Sequence, residues 1–115
     1  MQVHAPIGLL LLAAHFWGDF VAQNDTMAAG KNPYKPIPLH AHVPWYYWMT
    51  AHAATHGAVV GLLLNNPILG VAEFVAHFWI DFAKCAGKIS IHVDQALHVA
   101  CKLLWLWLLS RGVGS

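Results

Sequence analysis

Apolar residues dominate four stretches of the chain, roughly 5–22, 47–64, 68–86 and 90–109, and polar residues recur inside them at one interval. His15 and Asp19 stand four apart, as do His52 and His56. Glu73, His77 and Asp81 carry the interval through two steps, and Asp94, His98 and Lys102 do the same. Residues four apart share one face of an α-helix, so each stretch reads as a helix with one polar stripe on an otherwise apolar surface. Asn65-Asn66-Pro67 and Ala86-Gly87-Lys88 read as tight helix–helix turns. The longer connection, roughly 23–46, holds Pro33, Pro36, Pro38 and Pro44 and reads as a structured loop or re-entrant lip rather than a helix.

One phrase is written twice. "HFWGDF" at 15–20 returns as "HFWIDF" at 77–82, with Gly18 exchanged for Ile80. The same offset aligns Gly8 with Gly70 and Ala14 with Ala76. Helices one and three then run in the same direction, and the chain is predicted to be two helical hairpins with unequal loops, related by a pseudo-two-fold axis. Counted inward from the end that the hairpins share, Asp19, His52, Asp81 and Asp94 fall at one depth. His15, His56, His77 and His98 fall about one turn deeper, at ~1.5 Å per residue. Glu73 and Lys102 meet below them as an opposed acid and base. The stripes therefore converge in three layers.

Composition changes the setting of this bundle. Of 115 residues, 58% are hydrophobic and 10% charged, well under the roughly 25% charged of soluble domains. With each stretch near the ~20 residues that cross a hydrocarbon core, the expectation is an all-α, four-transmembrane-helix bundle with a Pro-rich first loop. Lys31, Lys35, Lys84 and Lys88 on one face against Arg111 on the other predict a multi-pass protein of the bacterial inner membrane with periplasmic termini. "WYYW" at 45–48, with Trp105 and Trp107, reads as interfacial aromatics, and His40 and His42 as interfacial too. Residues 1–6 lack the Lys or Arg of a signal peptide, so the first stretch is kept as a span. A net charge of +1 with no basic cluster excludes a nucleic-acid interface. Cys85 and Cys101 lack CxxC spacing and read as buried thiols.

Carboxylates and imidazoles in an apolar bundle are held most cheaply by aiming them at one another and at a cation. Neutral imidazole and carboxylate are ligands of Zn²⁺, and of Fe or Mn. The candidate metal set is His15, Asp19, His52, His56, His77, Asp81, Asp94 and His98, with Zn²⁺ the first choice. Glu73 and Lys102 read as a compensating buried pair. The predicted activity is metal-dependent hydrolysis of a lipid-like or amphiphilic substrate, with Asp94 or Glu73 as general base. Three other readings compete: histidines as interhelical hydrogen-bonding groups, a metal-ion or proton conduit, and a non-enzymatic interaction protein with a structural metal or polar core. The apolar "IGLLLL" and "VVGLLL" oppose a conduit. Partners on these readings are the bilayer, an amphiphilic substrate, a second copy or a host membrane protein.

"LLLAAHFWGDFVAQND", "AHAATHG", "AEFVAHFWIDFAK" and "DQALHVACKLL" resemble a family of small uncharacterised multi-span proteins of bacteria and phages. The resemblance covers most of the chain outside the Pro-rich loop and implies the same four-span architecture. More loosely, apolar helices bearing His-x-x-x-Asp are similar to membrane-bound metal-dependent hydrolases. That likeness implies metal-site roles for His15, Asp19, His77 and Asp81.

Overall fold

Helix ends are set by residues suited to them. Asn66 accepts a hydrogen bond from the Leu69 amide at 3.1 Å with Pro67 just inside the helix, and Ser90 accepts one from the Val93 amide at 3.1 Å. Both satisfy amides that a helix start leaves without partners. Asn65 ends the preceding helix at φ 49°, the left-handed position that glycine or asparagine takes with least strain. The computed structural model describes residues 4–21, 23 and 25–114, with side chains from residue 6 onward except Ala41. Within these, helices α1 (His4–Phe16), α2 (Asp25–Gly30), α3 (Trp45–Leu64), α4 (Pro67–Cys85) and α5 (Ile91–Ser110) account for most of the chain, and the described residues form no strand. The fold is all-helical. Ala22, where the apolar pattern ends its first stretch, lies outside the described residues.

α3 and α4 form the closest pair, and α1 and α4 each pack against both α3 and α5. α1 and α4, which carry the repeated phrase, therefore lie across the bundle from one another. The α3–α4 approach depends on missing side chains. A Cβ on Gly70 would stand 2.9 Å from the Gly57 carbonyl oxygen and 3.0 Å from the Gly61 Cα. One end of the bundle has an apolar core of Leu11, Val60, Leu64, Leu69 and Trp105. Beyond it Met49 and Ala53 are buried too, but most of the remaining interior is polar: His15, Asp19, Lys31, His52, His56, Glu73, His77, Asp81, Asp94, His98 and Lys102 are all buried. Large apolar side chains such as Leu9, Leu62, Val71 and Trp79 are more than half exposed.

Two expectations are corrected. No helix among the described residues is long and apolar enough to cross a membrane, so the four spans and the multi-pass inner-membrane placement with periplasmic termini fall. α1 has 13 residues, short of the ~20 needed. α3, α4 and α5 are longer, but the polar stripes interrupt them: Glu73, Asp81 and Lys84 all fall within α4. Low overall charge misled because the charges present are concentrated inside the bundle. The Pro-rich connection, expected without helix, holds α2 and a 3₁₀ turn at Pro38–Ala41. His40 Nε2 donates to the Gly30 carbonyl at 2.7 Å and fastens the two together, so it is a strut of the loop.

The glycine contacts yield a paired test. Gly70→Ala should destabilise by about 1–3 kcal/mol in urea unfolding, because the new methyl meets backbone that cannot yield, although alanine is the better helix former. Gly61→Ala, whose Cβ would find its nearest neighbours at 3.5 and 3.8 Å, should be neutral or stabilising.

Candidate metal centre

Asp19 sits on a wound-out turn. After Phe16 the first helix widens into a π turn, Trp17–Val21, and Asp19 is its buried residue. π turns recur at functional sites because the extra residue re-aims a side chain. Here the Asp19 carboxylate reaches the middle of the bundle. Its Oδ1 lies 3.1 Å from His56 Nε2, 3.2 Å from His52 Nε2 and 3.5 Å from His77 Nε2. His52 and His77 place their Nε2 atoms 3.2 Å apart. The neighbouring Gly18 makes this approach feasible, since a Cβ there would stand 2.7 Å from the His56 ring. The aligned position in the second phrase is Ile80.

Five imidazoles stack through the centre. Ring centroids are 3.7 Å apart for His56–His77, 4.1 Å for His77–His98, and 5.0 Å for His15–His98 and for His52–His77. His98 Nε2 lies 3.3 Å from Asp94 Oδ1. Below the rings, Glu73 accepts from His77 Nδ1 at 2.9 Å, Lys102 Nζ at 2.8 Å and Trp105 Nε1 at 2.8 Å. With Nδ1 bonded to Glu73, His77 turns its Nε2 toward Asp19 and His52; a carboxylate behind a ligand imidazole fixes ring orientation in this way. Burial alone would raise Glu73, but His77 and Lys102 hold it down at about 2.

Above the rings, Lys31 reaches in from the turn after α2. Its Nζ donates to Asp81 Oδ2 at 2.6 Å, and the side chain is buried. Gln95 bridges three other groups: its Nε2 donates to Asp19 Oδ2 at 3.0 Å and Asp94 Oδ2 at 2.9 Å, while its Oε1 lies 2.9 Å from His15 Nε2.

Several buried atoms converge without completing hydrogen bonds: Asp19 Oδ1, His56 Nε2, Asp81 Oδ1, Asp94 Oδ1 and His98 Nε2. A buried polar atom left so is costly unless something else satisfies it. Among the described residues, three groups of side chains could hold a metal ion: Asp19 with His52, His56 and His77; His15 with His77 and His98; and Asp19 with Asp94 and His98. Seven of the eight residues proposed from the sequence fall in these groups. Asp81 does not; it pairs with Lys31 and lies 3.2 Å from His52 Nε2. Cys85 and Cys101 are free, half-buried thiols.

Charge bears on what the centre holds. Four buried carboxylates (Asp19, Glu73, Asp81, Asp94) face two buried ammonium groups (Lys31, Lys102), leaving two negative charges in the interior. Without a metal, imidazolium supplies the balance. Burial lowers His98, but Asp81 and Asp94 beside it overcome that and raise it to about 9. His52 is raised as well, its burial outweighed by Asp19 and Asp81. His15 and His56 are lowered to about 4, chiefly by burial. Asp19 is held far below the carboxylate range because three imidazoles outweigh its burial.

Lys31, Gln95 and Trp105 escape a reading by stripes. Lys31 lies on the connection, where a lysine normally faces water. Gln95 is one residue from Asp94 and so stands about 100° off the stripe, at 3.6 residues per turn. Trp105, read as interfacial, is buried and donates to Glu73. A usable signal existed only for Trp105, three residues beyond Lys102 on the same face.

The Glu73–Lys102 pair sets a double-mutant test. Lys102→Met alone should destabilise by about 3–5 kcal/mol, because it strands a buried carboxylate. Adding Glu73→Gln should recover much of the loss, read as a non-additive term in thermal or urea unfolding.

No curated protein and no solved structure matches the chain, so the looser likeness to metal-dependent hydrolases has no relative behind it. Residues 7–112 match the family described as "Protein of unknown function (DUF3307)", and the chain belongs to that family.

Proposed function

We propose that the bundle is a transition-metal protein whose centre, holding one divalent cation, promotes hydrolysis. The observation that carries this reading is the ring of three Nε2 atoms around Asp19 Oδ1, 3.1–3.5 Å away. Zinc bonds of ~2.0–2.1 Å at tetrahedral angles place ligand atoms roughly 3.3–3.4 Å apart. Asp19 Oδ1 lies close to that edge from His52, His56 and His77, as His52 and His77 do from each other at 3.2 Å, and at least two of the four ligand atoms complete no hydrogen bond. Hydrogen-bonded histidines alone would not explain those orphaned atoms. Imidazole and carboxylate suit Zn²⁺ first, then Fe or Mn. The count of one ion follows from the two unbalanced negative charges, which one divalent cation neutralises.

Such an ion would lower the pKa of a bound water toward neutrality and supply hydroxide. The residues around it divide the remaining work. Glu73, its oxygens taken by three donors and its pKa near 2, orients His77 and is a poor base. Asp94 keeps Oδ1 without a hydrogen bond and is the better candidate to take the water's proton. In hydrolysis the water's oxygen would bond to the substrate's electrophilic atom as the bond to the leaving oxygen breaks, and the proton held by Asp94 would pass to the leaving group.

Metal analysis of the purified full chain should find about one divalent ion per molecule, the number that the charge balance requires. His56→Ala and His77→Ala should each lower occupancy, while Trp79→Ala, an exposed residue on the same helix as His77, should leave it intact. Full loading in the double variant His56→Ala with His77→Ala would sink the reading.

Binding should also be linked to protons. His98, at about 9, carries a proton at neutral pH that a cation displaces, and His52 is raised in the same direction. Zinc affinity should therefore rise with pH toward 9, with at least one proton released per ion. Calorimetry in buffers of different ionisation enthalpy reads that number, and no proton release would contradict it.

A further inference from the structure

An ion held by Asp19, His52, His56 and His77 leaves a second group of buried atoms unsatisfied. Asp94 Oδ1, His98 Nε2 and Asp81 Oδ1 complete no hydrogen bond, and none of the three side chains is more than 1% exposed. His98 Nε2 lies 3.3 Å from Asp94 Oδ1 and 3.9 Å from Asp81 Oδ1. Asp94 and His98 also form one of the groups able to hold a metal ion, and its third member is Asp19. Asp19 therefore belongs both to this group and to the one around His52, His56 and His77. A carboxylate has two oxygens and can serve two ions, and helical bundles build dinuclear sites from carboxylates and histidines on facing helices.

A cation already stands at the edge of this second group. Lys31 Nζ lies 2.6 Å from Asp81 Oδ2, on the carboxylate whose other oxygen is the unsatisfied one near His98. Burying an ammonium is costly unless it is paired, and this one comes from the connection rather than from a bundle helix. It follows Gly30, the last residue of α2, which lies against the Trp48 ring and accepts from His40.

We propose that Asp19, Asp94 and His98, with Asp81 beside them, form a second divalent-cation site, and that the Lys31 ammonium holds its place until a second ion displaces it. The inference rests on the metal reading above and adds a second ion and its control. With one divalent ion bound, the four carboxylates and two ammonium groups of the interior are balanced. A second ion alone would bring two uncompensated positive charges into a low-dielectric interior, at high cost. Withdrawing Lys31 removes one of them. A water held between the two ions removes the other, by releasing its proton to solvent and remaining as hydroxide. The two-ion form is neutral only with Lys31 out, and Lys31 can leave with its connection while the bundle helices stay in place. In that form Asp94 is a ligand, and the second ion replaces it in activating the water.

The test uses Co²⁺, which takes the nitrogen and oxygen ligands of Zn²⁺ and is paramagnetic. Ions about 3.5–4 Å apart, the spacing of two-metal sites, couple magnetically. Dialysed against Co²⁺, the full chain should retain one ion and Lys31→Met two, with a coupled magnetic signature in the variant alone. Lys31→Arg, which keeps the charge, should retain one, and so should Lys31→Met with Asp94→Asn. The second ion should bind Lys31→Met at least about tenfold more tightly than the unsubstituted chain, because a like charge beside it is gone. Should Lys31→Met fail to fold, acetic anhydride labelling of the unsubstituted chain carries the test. Measured against the exposed Lys35, Lys31 should be acetylated slowly with one equivalent of Co²⁺ and several-fold faster in excess. One ion in folded Lys31→Met, or two equally tight ions in the unsubstituted chain, overturns the inference and leaves the first ion standing. Labelling of Lys31 that ignores excess Co²⁺ overturns it as well. No bound ion in either chain overturns the metal reading and this inference together.

Discussion

Burying the Asp19 carboxylate is the constraint that the rest of the structure answers. A lone carboxylate in a dry interior would be neutralised by taking up a proton rather than stay charged. Asp19 instead gathers imidazoles from α3 and α4 within 3.1–3.5 Å and the Gln95 amide from α5. These contacts dictate where each helix turns its polar stripe, and through the stripes how the bundle closes. The π turn at Trp17–Val21, Gly18 against the His56 ring, and the carboxamide at position 95 all serve to bring the other groups to this one oxygen pair.

Around it the interior is organised as charge compensation in tiers. Lys31 holds Asp81 from above, and Lys102 with Trp105 holds Glu73 from below. Each ammonium is bound to one carboxylate, so neither is left to balance Asp19 and Asp94. The middle tier therefore lacks two positive charges, in the layer where the imidazoles converge. Protons or one divalent ion can fill that deficit, and the two compete for the same lone pairs. A purely structural polar core would more naturally be built neutral, since replacing a buried ion pair with well-packed apolar groups is often neutral or stabilising.

The helical class and the meeting of the stripes were legible because both follow from a single interval. Spacing by four fixes a face, and His and Asp are rare enough on apolar faces for their coincidence to carry information. The setting was misread for a related reason. Low average charge says how much polar surface there is but not where it lies, and here most of it lies inside. Leu9, Leu62 and Val71 at the surface, with His98 and Asp94 fully buried, invert the arrangement that composition-based reading assumes. Lys31 and the Gln95 bridge were not legible, because each depends on a tertiary position that no local period encodes.

The repeated phrase shows how far sequence symmetry extends into chemistry. His15 and His77 both lie in the imidazole stack, their rings 6.1 Å apart. Their aspartates part company: Asp19 is the hub of the centre, and Asp81 is tethered to Lys31. The single changed residue sits beside the divergence. Glycine at position 18 admits the His56 ring to the first phrase, and the backbone there loosens into a π turn that carries Asp19 inward. Ile80 leaves the second phrase as regular helix, with Asp81 one turn above His77. With the helix widened in only one of the two phrases, Asp81 takes the Lys31 ammonium and Asp19 the Gln95 amide, and the two carboxylates meet through His52, whose Nε2 lies 3.2 Å from each.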